Sequence, residues 1–195
     1  MESLSLAFTG GWASGINAYL VVLVLGIADR LGDVAEIPDV LARWDVLAAA
    51  ALMFTLEFVA DKIPYVDSTW DAISTVIRPT VGAVIGVLLA GDATTLEQAV
   101  LGVVGGGTAL VSHLVKAGSR LAINTSPEPV TNITASVAED VAVLGVVWFA
   151  IEHPRAAAAI AGLLLAGGLI LLLVLARLVR RGWRRWKHKP DPAWT

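Results

Sequence analysis

The residues of this sequence able to do chemistry are charged side chains set inside apolar stretches. Glu57 lies in the run from about Val46 to Ala60, Arg78 interrupts the run leading to Gly91, and Glu139 and Asp140 sit near the centre of the run from about Val130 to Ile151. An ionised group at a bilayer centre costs at least about 2.5 kcal/mol on insertion scales, so such groups turn towards a bundle interior and find partners there. They fit either a polar pocket for an ion, a proton or an anionic head group, or a buried salt bridge that only orders the helices. Adjacent side chains on a helix point about 100° apart, so only one of Glu139 and Asp140 is expected to meet Arg78. Asp140 is assigned to that pair, which leaves Glu139 as the freer acid for proton or cation exchange.

Asp61, Lys62, Asp67, Asp71, Lys116, Arg120, Asn124 and Glu128 fall at the ends of apolar runs that the topology below brings to one face. Singly, each is explained as a solvated loop residue. Together with the intramembrane charges they outline a substrate or ion pathway, with Asp61, Lys62, Lys116 and Arg120 in one polar cluster. Asn17, in the string SGINAYL, is either a place where Gly15 lets a ligand or another backbone approach, or a residue satisfied by an interhelical hydrogen bond. His113 has no second histidine or cysteine at ligand spacing and reads as a packed or interfacial residue rather than a metal ligand. Carboxylates at 61, 67 and 71 invite a magnesium and phosphate reading. No P-loop, HExxH or GxSxG accompanies them, so no metal and no cofactor are expected and the balance leans away from an enzyme. The triplets NTS and NIT match a glycosylation pattern but fall in a connection expected to be cytoplasmic, and are treated as coincidence.

The elements that must position these residues follow from composition. Of 195 residues 56% are hydrophobic and only 16% charged, with a mean hydropathy of +0.74, which makes lipid part of the solvent. Each span with its connection uses roughly 30 residues, so the expectation is an all-α integral membrane bundle of about six transmembrane helices with short connections. Residues 1–180 form that domain and 181–195 a basic cytoplasmic tail. The first span lies within Ser3 to Ala28, with Gly11 and Gly15 at close-packing spacing, and it is too long and too acidic at its start for a cleavable signal. The second runs from about Val46 to Ala60. A third is expected after a surface turn of helix, with the chain breaking near Arg78 and Pro79. The fourth, about Leu96 to Val115, holds the GVVGGG run, which suits tight packing or local unwinding. The fifth follows the turn formers of NTSPEPVTN, and the sixth runs from Ala156 to about Val179.

Seven of the fourteen Lys and Arg residues lie between Arg177 and Lys189. With six spans and this tail inside, eleven of the fourteen basic residues are cytoplasmic and both termini lie there, in the cell (inner) membrane. Five spans, with helix two or three re-entrant, would move the N-terminus outside. Trp183 and Trp186 among the tail cations suit anchoring on acidic lipids. Membrane lipids and a second copy of the chain are the expected partners, and nucleic acid is not. The cysteine count is zero, which removes disulfides, thiolate metal sites and cysteine nucleophiles.

The strings SGINAYL, FVADKIPYVDSTWDAISTVIRP, and KAGSRLAINTSPEP followed by ASVAED together resemble the bacterial membrane family catalogued as domain of unknown function 4126. The resemblance reaches to about residue 175, leaves the tail outside and supplies no activity. Leu56 to Ala90 and Val111 to Ala150 also share a pattern of apolar helix, charges, proline-containing break and second apolar helix. As a hairpin repeat they would enter from the same side. Three classes of function fit these residues: a small-solute, ion or lipid transporter or channel using the buried charges, a membrane-embedded enzyme acting on lipid head groups, and a non-catalytic scaffold.

Overall fold

A computed structural model describes residues 2–32, 34–63, 66–123 and 129–187. Among them no strand occurs. The elements are α1 (Glu2–Gly32), a 3-10 turn at Asp39–Ala42, α2 (Trp44–Ala60), α3 (Val66–Leu88), α4 (Thr95–Ile123), α5 (Pro129–Glu152) and α6 (Pro154–Lys187). All but α2 are long and apolar enough to cross a membrane. With its 17 residues α2 is about 25 Å long, a little under the hydrocarbon thickness. The chain is a membrane helical bundle.

The first helix is not a straight span. Asn17 interrupts α1 with extended backbone angles (φ −150°, ψ 93°). The two legs, 2–16 and 18–32, fold back towards one another. Leu6, Thr9 and Leu25 line one small cavity, although the 19 residues from Leu6 to Leu25 would span about 28 Å on an unbroken helix. Glu2 faces Arg155 at 3.7 Å, and Leu31 and Gly32 share a cleft with Trp148 and Glu152, so both ends of α1 reach the turn between α5 and α6. We call this the hairpin end of the bundle. At the opposite end Asp61, Arg120 and Asn132 meet, which brings the end of α2, the last turns of α4 and the start of α5 together. The pairs α2–α3 and α4–α5 therefore meet at the same end. Helices α2 to α6 run the length of the bundle while α1 returns to its start. Glu2 consequently lies at the opposite end from the far end of α6, whereas an even number of spans implied that both termini share a side. Hydropathy registers the length of an apolar run and is blind to a reversal inside it.

Close backbone contacts lock the hairpin's first leg against α4, and α4 against α3. A Cβ on Gly11 would sit 2.3 Å from the Gly105 carbonyl oxygen, one on Gly15 2.3 Å from that of Ala109, and one on Gly86 2.2 Å from that of Leu101. Small residues at four-residue spacing allow this approach, which dispersion between backbones rewards in the absence of a hydrophobic force. The GVVGGG run accordingly stays helical and serves packing. No break occurs at Arg78 and Pro79: α3 continues through them. Gly106 of α4 receives the Pro79 carbonyl, since a Cβ there would lie 3.1 Å from it. Proline is tolerated where neighbouring helices hold both flanks of a membrane helix. Trp12, Val21, Val24, Leu25, Ile85, Val143 and Val147 fill the hairpin end with an apolar core. The other half of the interior is charged.

Candidate functional site

Each wall of the charged interior is one helix face. Asp67, Asp71, Ser74 and Arg78 recur at intervals of 4, 3 and 4 along α3, and all four are buried. His113, Lys116 and Arg120 do the same on α4, and Asn132, Ser136 and Asp140 on α5. Glu57 lies in the last turn of α2 and Asp61 caps it. This is the helical period placing polar side chains on the inward stripe where a soluble protein would put leucines.

Arg78 is only 1% exposed and its guanidinium joins α1, α2, α3 and α4. Its Nη2 pairs with Glu57 Oε1. Its Nη1 donates to Asp71 Oδ1 at 3.0 Å, to His113 Nδ1 at 2.8 Å and to the Gly15 carbonyl at 3.4 Å. The Thr75 hydroxyl lies 3.0 Å from His113 Nε2, on the ring's other side. Lys116 Nζ donates to Asp61 Oδ2 at 2.6 Å and to the Ile16 carbonyl at 2.9 Å. Arg120 donates to Glu139 Oε2 at 2.7 Å, to Asn132 Oδ1 at 2.6 Å and to the Asp61 carbonyl at 3.1 Å.

The break in α1 is part of this network. The last turn of the first leg loses its intrahelical donors, and the carbonyls of Gly15 and Ile16 are taken up by Arg78 and Lys116. Cations at the carboxyl end of a helix also suit its dipole. Asn17 Oδ1 accepts the Leu20 amide at 3.0 Å, capping the second leg, and its Nδ2 donates to Asp140 Oδ1 at 2.9 Å. An irregular backbone at this depth survives only where protein groups satisfy it, as here.

Several expected pairings are different in the structure. Arg78 meets Glu57 and Asp71, not Asp140, and Asp140 meets Asn17. Glu139 is not the freer acid, because Arg120 holds it and Lys116 lies 3.8 Å away. Asp61, Lys116 and Arg120 do cluster, but Lys62 turns aside to the Phe58 carbonyl at 2.9 Å. Asp67 is buried at the start of α3 and bonds the Ser68 amide. Asn124 and Glu128 lie outside the described residues. His113 and Asn132 join the network in addition to the expected residues. Their signal was register: His113 stands three residues before Lys116, and Asn132 seven before Glu139, so each shares its partner's helix face.

The two hairpins carry complementary charges. In the first, the acid is on the leading helix (Glu57) and the base on the returning one (Arg78); in the second, the base leads (Arg120) and the acid returns (Glu139). Asp61 stitches them together through Lys116 and Arg120. The balance is nonetheless acidic. Glu57, Asp61, Asp71, Glu139 and Asp140 face Arg78, Lys116 and Arg120, and Glu57 Oε2 and Asp140 Oδ2 are buried without a hydrogen-bond partner.

Among the described residues no group of three or more His, Asp or Glu side chains could hold a metal ion. The carboxylates at 61 and 71 serve different cations, Lys116 and Arg78. Two openings lead to the network. A lateral cleft of about 280 Å³ between α1, α4, α5 and α6 has Val115, Ala142, Leu164 and Leu165 on its walls and Lys116 and Glu139 at its polar edge. A smaller one of about 190 Å³ between α3 and α4 ends on Asp71 and Thr75.

Apolar helices, a helix broken inside the bundle and buried ion pairs define an integral membrane protein with a polar interior. The chain belongs to the family described as "Domain of unknown function (DUF4126)", whose model matches residues 4–176. No curated protein and no solved structure is significantly similar to it.

Proposed function

We propose that this protein is a small transporter or channel whose pathway follows the buried charges from the end where Asp61, Arg120 and Asn132 meet to the tip of the α1 hairpin. The observation carrying this reading is the break at Asn17, where the freed carbonyls of Gly15 and Ile16 meet Arg78 of α3 and Lys116 of α4 and the Asn17 side chain meets Asp140 of α5. A broken helix facing intramembrane charge is the usual construction of solute and ion sites in transporters. A scaffold needs neither the break nor an acidic surplus, both of which cost stability. The lateral cleft favours lipid handling as a second reading, since its apolar walls and polar edge match an acyl chain below a head group.

The charges favour one orientation. Lys62, Lys116, Arg120, Arg177, Arg180 and Arg181 share one end of the bundle, which supports a cytoplasmic location for that end and an outside location for the N-terminus. The inner membrane is the proposed location, and acidic lipids are the proposed partners of the tail.

The test is flux. Purified protein in liposomes should pass protons, monovalent cations or small anions faster than protein-free liposomes do. Glu57→Gln should change that flux in protein that still elutes as a folded species. Vesicles as tight as the protein-free control to all three classes, with unaltered lipid scrambling, would refute the reading.

A further inference from the structure

Four of the five network carboxylates are ion-paired: Glu57 and Asp71 with Arg78, Asp61 with Lys116, and Glu139 with Arg120. Asp140 makes no ion pair among the described residues. It is 9% exposed, and the charged groups acting on it most strongly from neighbouring elements are Lys116 of α4 and Asp61 and Lys62 beyond α2. Among the described residues the only side chain bonded to it is Asn17. Because Asn17 Oδ1 accepts the Leu20 amide, the orientation of the Asn17 side chain is set, and Nδ2 must be the group that donates to Asp140 Oδ1. Oδ1 thus behaves as a carbonyl oxygen. Oδ2 is buried with no partner, and so is the hydroxyl of Ser136 one turn earlier on the same face.

An ionised carboxylate with one neutral hydrogen bond and no ion pair is costly to bury, and adding a proton lowers that cost. We propose that Asp140 holds an exchangeable proton on Oδ2 at the tip of the hairpin, and that this proton is the coupling ion of the transporter; the second half rests on the transport reading above. Binding forms one O–H bond and breaks none in the protein. Asn132, Ser136 and Asp140, spaced four residues apart on α5, supply a polar stripe from the Arg120 end of the network to the tip. Loss of the proton leaves a negative charge beside the amino end of the second leg, where the helix dipole attracts it. The protonated and ionised states therefore hold the break with different strength, which links proton occupancy to the shape of the hairpin.

Infrared difference spectroscopy on the full-length protein in liposomes tests the site without needing a substrate. A protonated-carboxyl C=O band should be present at neutral pH, move on labelling with ¹³C-aspartate, fade at alkaline pH, vanish in Asp140→Asn and persist in Glu139→Gln. Because the labelled wild type reports by itself, failure of a variant to fold does not protect the proposal. Labelled wild-type protein without that band from mildly acidic to neutral pH overturns it. Flux through the same vesicles separates the two halves. Wild-type proton flux that falls to the protein-free level in folded Asp140→Asn supports coupling, and flux unchanged by that substitution overturns coupling. Vesicles tight to every ion tested, with the band intact, count against the transport reading and leave the proton site standing.

Discussion

Replacing Arg78 should separate this network from an ordinary buried ion pair. Arg78→Ala leaves Asp71 with no cation, while Glu57 keeps only Lys116 at 3.8 Å. Breaking a buried pair by removing one partner costs about 3–5 kcal/mol, because the other charge stays buried uncompensated. Here two acids are affected, along with the Gly15 carbonyl and His113 Nδ1, so the loss should lie at the upper end of that range. Against a total stability of about 5–15 kcal/mol this is a large fraction, and it should appear as a sharp drop in folded yield and in the unfolding midpoint in detergent. Asp71→Asn in the Arg78→Ala background removes the stranded charge and should recover about 1–3 kcal/mol, whereas Arg78→Ala and Asp140→Asn should add within about 0.5 kcal/mol. Arg78→Lys should recover little, since one ammonium cannot reproduce a fork shared by two carboxylates. The assay is a double-mutant cycle on unfolding in detergent. Additive losses for Arg78 and Asp71, or strong coupling between Arg78 and Asp140, would refute the pairing.

Glycines of one run should behave differently. Gly105→Ala places a Cβ 2.2 Å from the Gly82 carbonyl oxygen and should destabilise strongly, whereas Gly107→Ala meets nothing within 4 Å and should gain up to about 1 kcal/mol from helix propensity. Equal melting temperatures for the two variants would contradict the α3–α4 seam. Asn17→Ala removes the cap of the second leg, worth about 0.5–2 kcal/mol, and the hydrogen bond to Asp140, so unfolding in detergent should show a loss larger than the cap alone. Reporter fusions at the two termini should give opposite locations, outside for the N-terminus and cytoplasmic for the tail; a shared location would contradict the returning α1. Truncation after Gly182 should leave melting unchanged and weaken association with acidic liposomes, and unchanged association would make the tail a topology signal only.

The sequence by itself determined the membrane class, the places where apolar runs begin and end, and the inventory of charges inside them. Asp67, Asp71 and Arg78 share a face because the helix period is 3.6 residues, and that much is arithmetic on positions. The common end of the two hairpins was equally legible, because each apolar helix ends in charges and returns after a proline-containing break. Which acid meets which base was not, because a pairing depends on the depth and rotation of two helices far apart in the chain. Arg78 takes Glu57 and Asp71 because its long side chain reaches along α3 towards the end of α2, while Asp140 faces α1. The returning path of α1 was the least legible feature. An asparagine between two apolar stretches suits a straight helix with one interhelical hydrogen bond as well as it suits a break. Only the tertiary structure supplies Arg78 and Lys116 for the carbonyls that the break sets free, and without those partners in a hydrocarbon interior the helix would have no reason to open.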